Sequence, residues 1–162
     1  MRRFRLVALG GTFDTIHKGH RELLITAFNL GDNVLIGLTT DKFARSMGKA
    51  HEVKPYVERL ESLKKLLEDM RVEDRAIITP IEDPYGPAAY NPAVEAIVVS
   101  DETYSRALEI NKLREARGLK TLEIVKIPMV LAEDGKPISS TRVKLGEIDE
   151  DGRLLRKHKS PR

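Results

Sequence analysis

The chain has 162 residues, with 28 basic side chains, 25 acidic ones and no cysteine. This length fits one domain, and the absence of cysteine excludes disulfides, cysteine nucleophiles and thiolate metal sites. Five of the basic residues lie in positions 153–162 without an acid among them. We therefore expect a single domain over residues 1–152, a flexible basic tail over residues 153–162, and no nucleic-acid partner. No stretch reaches the ~20 apolar residues of a membrane span, and the N-terminus does not have the pattern of a signal peptide, so we expect a soluble, cytoplasmic protein.

The first half of the chain alternates strand patterns with helix patterns. The apolar run over residues 4–9 predicts a buried strand, and helical spacing from about residue 21 ends at Gly31. A second strand follows over residues 33–38, and the basic segment 43–54 indicates a short helix with a flexible loop. A longer helix then begins at Pro55, with one apolar stripe made of Val57, Leu60, Leu63, Leu67 and Met70.

The second half continues the alternation. A third strand over residues 75–79 leads into a proline-rich connection that extends to Pro92, and such long loops are often functional. The fourth strand covers residues 96–100, a helix opened by residues 101–103 runs to Arg117, and the fifth strand covers residues 122–127. This order predicts an α/β, Rossmann-like, doubly wound and mostly parallel five-stranded sheet with helices on both faces.

A glycine turn after the first strand is the first candidate site. Gly10 and Gly11 let the backbone approach a ligand closely, and the helix that follows presents free N–H groups to an anion. His17 and His20 stand at the start of that helix, where imidazoles can donate hydrogen bonds to phosphate. The G-x-G-x-x-G fingerprint of redox dinucleotide folds is missing, so we expect a phosphate crevice without a redox cofactor.

A zinc site is the competing interpretation of these histidines. Zinc requires three or four ligands, and the other histidines are His51, in a predicted loop, and His158, in the tail. We therefore expect no protein-held metal.

The second candidate site is the run Ser139, Ser140, Thr141 and Arg142, which precedes a short helix predicted over residues 141–145. One serine is explained by helix capping. The remaining hydroxyls and an arginine form a second anion cradle. Two cradles at the carboxyl ends of strands indicate a ligand with several phosphates, or two phosphorylated ligands that face each other, which is the arrangement for group transfer.

These motifs resemble those of a known superfamily. GTFD over residues 11–14 with HKGH over 17–20 is similar to the (T/H)-x-G-H signature of nucleotidyltransferases, and ISSTR over 138–142 resembles their second motif. VVSDET over 98–103 and DPYGP over 83–87 are most similar to the archaeal type of phosphopantetheine adenylyltransferase. The resemblance spans nearly the whole chain.

The resemblance implies reversible transfer of AMP from ATP to 4′-phosphopantetheine, giving dephospho-coenzyme A and pyrophosphate, with Mg²⁺ carried by ATP. It implies that His20 stabilises charge on the α-phosphate, that His17 holds ATP phosphates, and that Thr12 with a lysine holds the acceptor phosphate. Lys42 is the favoured lysine, and Lys49 and Lys54 are rivals. The implied substrate-binding set is completed by Gly10, Gly11, Phe13, Val99, Ser100, Asp101, Glu102, Ser139, Ser140, Thr141 and Arg142.

The same motifs leave two other functions open. One is a cytidylyl- or adenylyltransferase for another phosphorylated acceptor, such as glycerol 3-phosphate or a flavin precursor. The other is a noncatalytic nucleotide sensor, in which a charged member of the two cradles should be missing. We expect a monomer or a small homo-oligomer that has no membrane partner.

Overall fold

The computed structural model describes residues 2–48 and 52–155. Within these ranges the strands and helices alternate along the chain, and two short 3₁₀ turns lie at Glu73–Arg75 and Gly86–Ala89. The strands are β1 (Phe4–Gly11), β2 (Gly31–Thr39), β3 (Ala76–Ile81), β4 (Ala96–Val99) and β5 (Glu123–Lys126). The α-helices are α1 (Lys18–Leu30), α2 (Asp41–Ser46), α3 (Tyr56–Asp69), α4 (Tyr104–Ala116) and α5 (Ser140–Lys144).

The five strands form one parallel sheet in the order β3-β2-β1-β4-β5. The chain builds one side of the sheet with β1, β2 and β3, then returns to place β4 on the other side of β1. The strand order therefore reverses between β1 and β4, and the carboxyl ends of these strands border the crevice where such sheets bind ligands. The predicted Rossmann-like fold is confirmed.

Alternate residues of each strand face opposite sides of the sheet, and both sides are covered. Val7 of β1 belongs to the core beneath α1 and α3, whereas its neighbour Ala8 belongs to the core beneath α4. Because consecutive side chains of a strand point to opposite faces, burial on both faces requires an apolar residue at nearly every position. This explains why the central strands of the sheet appear in the sequence as nearly continuous apolar runs.

Two helix starts differ by more than one residue from those predicted. Helix α1 begins at Lys18, about one turn before the predicted start, because His17 caps it. Helix α4 begins at Tyr104, after the predicted start at residues 101–103, because the hydroxyl of Thr103 accepts the N–H of Ser100 at 3.1 Å and closes a turn there.

The apolar stripe predicted for α3 was wrong at its first member. Val57 is 63% exposed, whereas the guanidinium of Arg59 is fully buried on the same face as Leu63 and Leu67. Positions i, i+4 and i+8 share one helix face, so Arg59 occupies the place where the sequence pattern predicts an apolar residue.

The proline-rich connection between β3 and β4 is held by arginines of α4 and its C-terminus. Arg114, which is 1% exposed, donates to the carbonyls of Ala88 and Asn91 at 2.8 and 2.9 Å. Arg117 donates to the carbonyl of Ala89 at 2.9 Å. These bonds satisfy backbone groups that secondary structure leaves unpaired in such a loop. Across the described ranges, no helix has the length and apolar character needed to cross a membrane.

Candidate active site

A cavity of about 460 Å³ opens at the carboxyl ends of β1 and β4. Its wall brings together the two segments that the sequence singles out, which lie more than a hundred residues apart. The predicted site residues that line it are Gly10, Gly11, Thr12, His17, His20, Val99, Ser100, Asp101, Glu102, Ser139, Ser140 and Thr141.

The two histidines form a reciprocal cap at the start of α1. Nδ1 of His17 accepts the N–H of Gly19 at 3.0 Å, and Nδ1 of His20 accepts the N–H of His17 at 3.2 Å. A ring nitrogen that accepts a hydrogen bond cannot carry the proton, so in each neutral ring the proton is on Nε2. The backbone of α1 thereby fixes the tautomer of both histidines.

Gly19 makes this arrangement possible. A Cβ at Gly19 would lie 2.8 Å from Cε1 and 3.0 Å from Nδ1 of His17, closer than van der Waals contact allows. Without that atom, the His17 ring folds over the helix start and stacks on His20 with ring centroids 3.9 Å apart. The glycine between the two histidines is therefore explained by sterics.

Burial keeps His17 uncharged near neutral pH. The side chain is 7% exposed, and burial, assisted by the charge of Arg21, lowers the pKa of His17 from 6.5 to about 4. A neutral imidazole meets an anion as a hydrogen-bond donor and not as a cation. His17 can therefore offer an N–H to phosphate but no positive charge.

The lowered pKa of His17 predicts how stability depends on pH. Between pH 6.5 and pH 4 the unfolded chain binds a proton at this position and the folded protein does not, so the free energy of unfolding should fall as the pH drops through this window. The loss should reach about 3 kcal/mol at pH 4 and be absent above pH 6.5. Urea denaturation at several pH values measures it.

The variant His17→Asn is the control for this prediction. Asparagine caps a helix well and does not titrate, so this component of the pH dependence should disappear. An equal loss of stability in both proteins between pH 6.5 and pH 4 would contradict the prediction.

Thr12 and Thr39 meet where β1 and β2 end. The hydroxyl of Thr39 donates to Oγ1 of Thr12 at 3.2 Å, and both residues line the cavity.

The residue after Thr12, Phe13, was predicted to bind substrate, but the structure does not bring its side chain to the cavity. Phe13 adopts a positive φ of 51° and is 1% exposed within the core, where its ring packs against His20 at 4.9 Å. Its contact with His20 places it behind the site.

The predicted cap of α5 is confirmed. The hydroxyl of Ser139 accepts the N–H of Arg142 at 3.1 Å. The hydroxyl of Ser140 donates to the carbonyl of Thr15 at 3.2 Å, which ties α5 to the loop before His17. The second motif is therefore held against the first by a direct hydrogen bond.

Arg142, which was predicted to bind phosphate, does not line the cavity. Its guanidinium contacts Asp134 at 2.5 Å and Glu147 at 2.8 Å, and it donates to the carbonyl of Pro137 at 3.0 Å. The two carboxylates raise the pKa of Arg142. In this arrangement the guanidinium holds together the loop that leads into α5, and these partners satisfy it without phosphate.

The lysines predicted to hold the acceptor phosphate are not part of the cavity wall. Lys42 is exposed in the first turn of α2, and Lys54 is exposed just before α3. The third rival, Lys49, lies outside the described residues, as do His51 and His158. Lys42 and Lys54 would have to reorient towards a ligand, which long, flexible lysine stems allow.

Sequence reasoning missed an ion pair between a buried carboxylate and a partly exposed lysine beside the cavity. Asp14, whose side chain is 3% exposed, contacts Nζ of Lys144 at 2.7 Å and accepts the N–H of Lys54 at 2.8 Å. Lys144 also donates to the carbonyl of Glu52. Asp14 thus joins the first motif to α5 and to the segment before α3. The available signal was an acidic residue inside a motif whose other predicted members bind anions.

The opposite wall is built by the turn after β4. Asp101 contacts Nζ of Lys126 at 2.9 Å, which fixes the turn against β5. Val99 is 3% exposed, whereas Asp101 and Glu102 are exposed at the rim. This wall therefore combines an apolar floor with a polar edge.

Comparison with known proteins identifies the family. The profile of the cytidylyltransferase-like family matches residues 8–146. The phosphopantetheine adenylyltransferase of Methanopyrus kandleri is 50% identical over 148 residues, which are 91% of this chain and 93% of that protein. The corresponding protein of Methanothermobacter thermautotrophicus is 46% identical over 156 residues, covering 96% of this chain and 93% of its own. A crystal structure of a protein of unknown function from Archaeoglobus fulgidus is similar with a TM-score of 0.67 at 38% identity, covering 79% of this chain and 90% of its own. The chain therefore belongs to the cytidylyltransferase-like family, within its phosphopantetheine adenylyltransferase branch.

Proposed function

We propose that this protein transfers the adenylyl group of ATP to 4′-phosphopantetheine, giving dephospho-coenzyme A and pyrophosphate in a reversible step of coenzyme A biosynthesis. The observation that carries the proposal is the joining of HKGH and ISST in one cavity in a chain similar over nearly its whole length to proteins named for this activity. Two anion-binding segments that face one cavity suit a reaction between two phosphorylated substrates.

In the proposed reaction an oxygen of the 4′-phosphate attacks the α-phosphorus of ATP in line, and pyrophosphate leaves from the opposite side. The bond between the α-phosphorus and the bridging oxygen breaks as the new phosphorus–oxygen bond forms, and no covalent intermediate with the protein is required. The protein contributes alignment of the two substrates and hydrogen-bond donors directed at the developing charge.

His17 and His20 would act on the ATP side of the cavity. The backbone cap leaves Nε2 as the protonated nitrogen of each neutral ring, so His17 would donate to ATP phosphates and His20 to the α-phosphate in the transition state. Ser139, Ser140 and Thr141 would bind the β- and γ-phosphates, and the turn from Val99 to Glu102 with Gly10 would border the nucleoside.

The acceptor phosphate would bind beside Thr12, with a lysine that swings in from α2 or from the segment before α3. Lys42 is the favoured candidate, with Lys49 and Lys54 as alternatives. The neutral state of His17 means that this ring adds no positive charge to offset the phosphates. Lysines, magnesium and Arg106, which lines the cavity, can supply that charge.

Magnesium enters the proposal as part of the MgATP substrate, where it offsets phosphate charge. Among residues 2–48 and 52–155, no group of three or more histidine, aspartate or glutamate side chains is placed to hold an ion by itself. The hydroxyl, imidazole and amide donors that line the cavity suit phosphate oxygens better than a cation.

The proposal predicts that purified protein with ATP, magnesium and 4′-phosphopantetheine releases pyrophosphate. A coupled pyrophosphate assay measures the release, and mass spectrometry should show dephospho-coenzyme A as the product. The reverse reaction, dephospho-coenzyme A with pyrophosphate, should form ATP.

The control panel replaces the acceptor by glycerol 3-phosphate and by riboflavin 5′-phosphate, each with ATP and with CTP. Turnover with one of these and none with 4′-phosphopantetheine would overturn the acceptor assignment. ATP binding without pyrophosphate release with any acceptor would favour the noncatalytic sensor.

A further inference from the structure

Arg59 of α3 lies fully buried beneath the acceptor side of the cavity. Its Nη1 donates to the carbonyl of Thr12 at 3.0 Å and to the carbonyl of Thr39 at 2.8 Å. Its Nε donates to the carbonyl of Lys54 at 2.7 Å, and its Nη2 contacts Asp41 at 3.1 Å. One side chain thus joins the end of β1, the end of β2 and the segment before α3.

The position of these contacts relative to the sheet is informative. The pairing of β1 with β2 ends at Gly11 and Leu38, so Thr12 and Thr39 are the first residues beyond the ladder. Strands separate where their hydrogen bonds end, and the guanidinium binds both carbonyls at this point. Arg59 therefore links Thr12 to Thr39, the next pair of residues beyond the β1–β2 ladder, at the cavity wall.

Arg59 also determines the direction of the hydroxyl pair above it. Its Nη1 donates to Oγ1 of Thr39 at 3.3 Å, and the Thr39 hydroxyl donates to Oγ1 of Thr12 at 3.2 Å. A guanidinium can only donate hydrogen bonds, so the Thr39 oxygen accepts from Arg59 and its O–H points to Thr12. The Thr12 oxygen then accepts a hydrogen bond from Thr39, so the O–H of Thr12 must point away from Thr39. Because Thr12 lines the cavity, this O–H is available to a ligand there.

We propose that Arg59 is a positioning residue for the acceptor phosphate. It orients the Thr39 and Thr12 hydroxyls so that the O–H of Thr12 donates a hydrogen bond to that phosphate. The inference rests on the proposed function in placing a phosphorylated acceptor beside Thr12. The buried positive charge, whose acidic partner Asp41 is half exposed, also favours a dianion at this end of the cavity.

The first test compares Arg59→Lys with the unaltered protein. Lysine keeps the charge, but its compact ammonium cannot donate to four separated groups at once. The KM for 4′-phosphopantetheine should rise about 10- to 100-fold, the effect of losing a hydrogen bond to a charged group, while the KM for ATP stays unchanged. The matched control is Arg75→Lys, since Arg75 also donates to backbone carbonyls (Phe28, Gly31 and Asp32) but at the amino end of β2, away from the cavity.

The second test isolates the hydroxyl chain. Thr39→Val removes the intermediate hydroxyl and leaves Arg59 and its carbonyl contacts in place, so it should raise the acceptor KM even if Arg59→Lys fails to fold. In a Thr12→Val background, which has no proton to present, Arg59→Lys should add little to the acceptor KM, because residues that act through one another are not additive. A purely structural role predicts independent effects.

Three results would overturn the inference: equal rises of both KM values in Arg59→Lys, an unchanged acceptor KM in Thr39→Val, or full additivity with Thr12→Val. The proposed function fails separately, if the unaltered protein releases no pyrophosphate with 4′-phosphopantetheine. If turnover occurs with another phosphorylated acceptor, the same comparisons on that acceptor's KM test Arg59.

Discussion

His20→Ala should lower kcat by about 10²- to 10³-fold, the usual cost of removing one donor from a preorganised oxyanion site, while ATP still binds. The expected effect is large because the structure fixes the proton of neutral His20 on Nε2 through its bond to the N–H of His17, and because the ring is held between His17 and Phe13. Such a donor needs no reorganisation as charge develops on the α-phosphate. Steady-state pyrophosphate release and equilibrium binding of ATP measure the two quantities.

His20→Gln is the matched control, because its amide carries an N–H donor at a similar reach. We expect it to recover part of the activity that His20→Ala loses. Loss of the reciprocal cap lowers stability by about 1 kcal/mol in His20→Ala, whereas the amide oxygen of glutamine can still accept the N–H of His17. Both variants should be assayed well below their unfolding temperatures. Normal turnover of His20→Ala would remove this residue from the chemistry.

Lys144→Met should lower the free energy of unfolding by about 3 kcal/mol, because it removes the ammonium that faces a buried carboxylate. The Asp14 side chain is 3% exposed and Lys144 is 22% exposed. This partial exposure places the expected loss at the lower end of the range for broken buried pairs. Urea denaturation at pH 7 measures the loss, and Lys65→Met, on the exposed side of α3, is the surface control.

A double-mutant cycle tests whether the pair carries this effect. Asp14→Asn removes the negative charge but keeps an oxygen that can accept the N–H of Lys54. In that background Lys144→Met should cost much less than it does alone. An unchanged cost in both backgrounds would mean that Lys144 stabilises the protein through its other contacts.

The fold was predictable because its signals are local. Buried parallel strands require apolar residues on both faces, so the central strands β1, β2 and β4 appear as short apolar runs between helix patterns. The edge strands β3 and β5 are less buried, and their runs are shorter or interrupted by polar residues. A serine cap for α5 was predictable for the same reason, since a serine shortly before a helix is a local pattern. The sequence left Ser139 and Ser140 as alternatives, and the structure shows that Ser139 is the cap. The start of α1 was predicted too late because histidine is an uncommon helix cap. The capping bonds of His17 also depend on Gly19, which leaves room for the ring.

The sequence by itself determined the order of strands and helices and the two motifs that meet at the cavity, because both follow from spacing along the chain. Tertiary structure decided which charged side chains face that cavity. Arg142 satisfies its charge with Asp134 and Glu147, Phe13 enters the core with a positive φ, and Arg59 replaces an apolar residue of α3 to bind backbone carbonyls. Lys144 pairs with Asp14 across more than a hundred residues of sequence. Spacing carries no information about such pairings, because a long charged side chain reaches whichever partner the fold brings within a few ångströms.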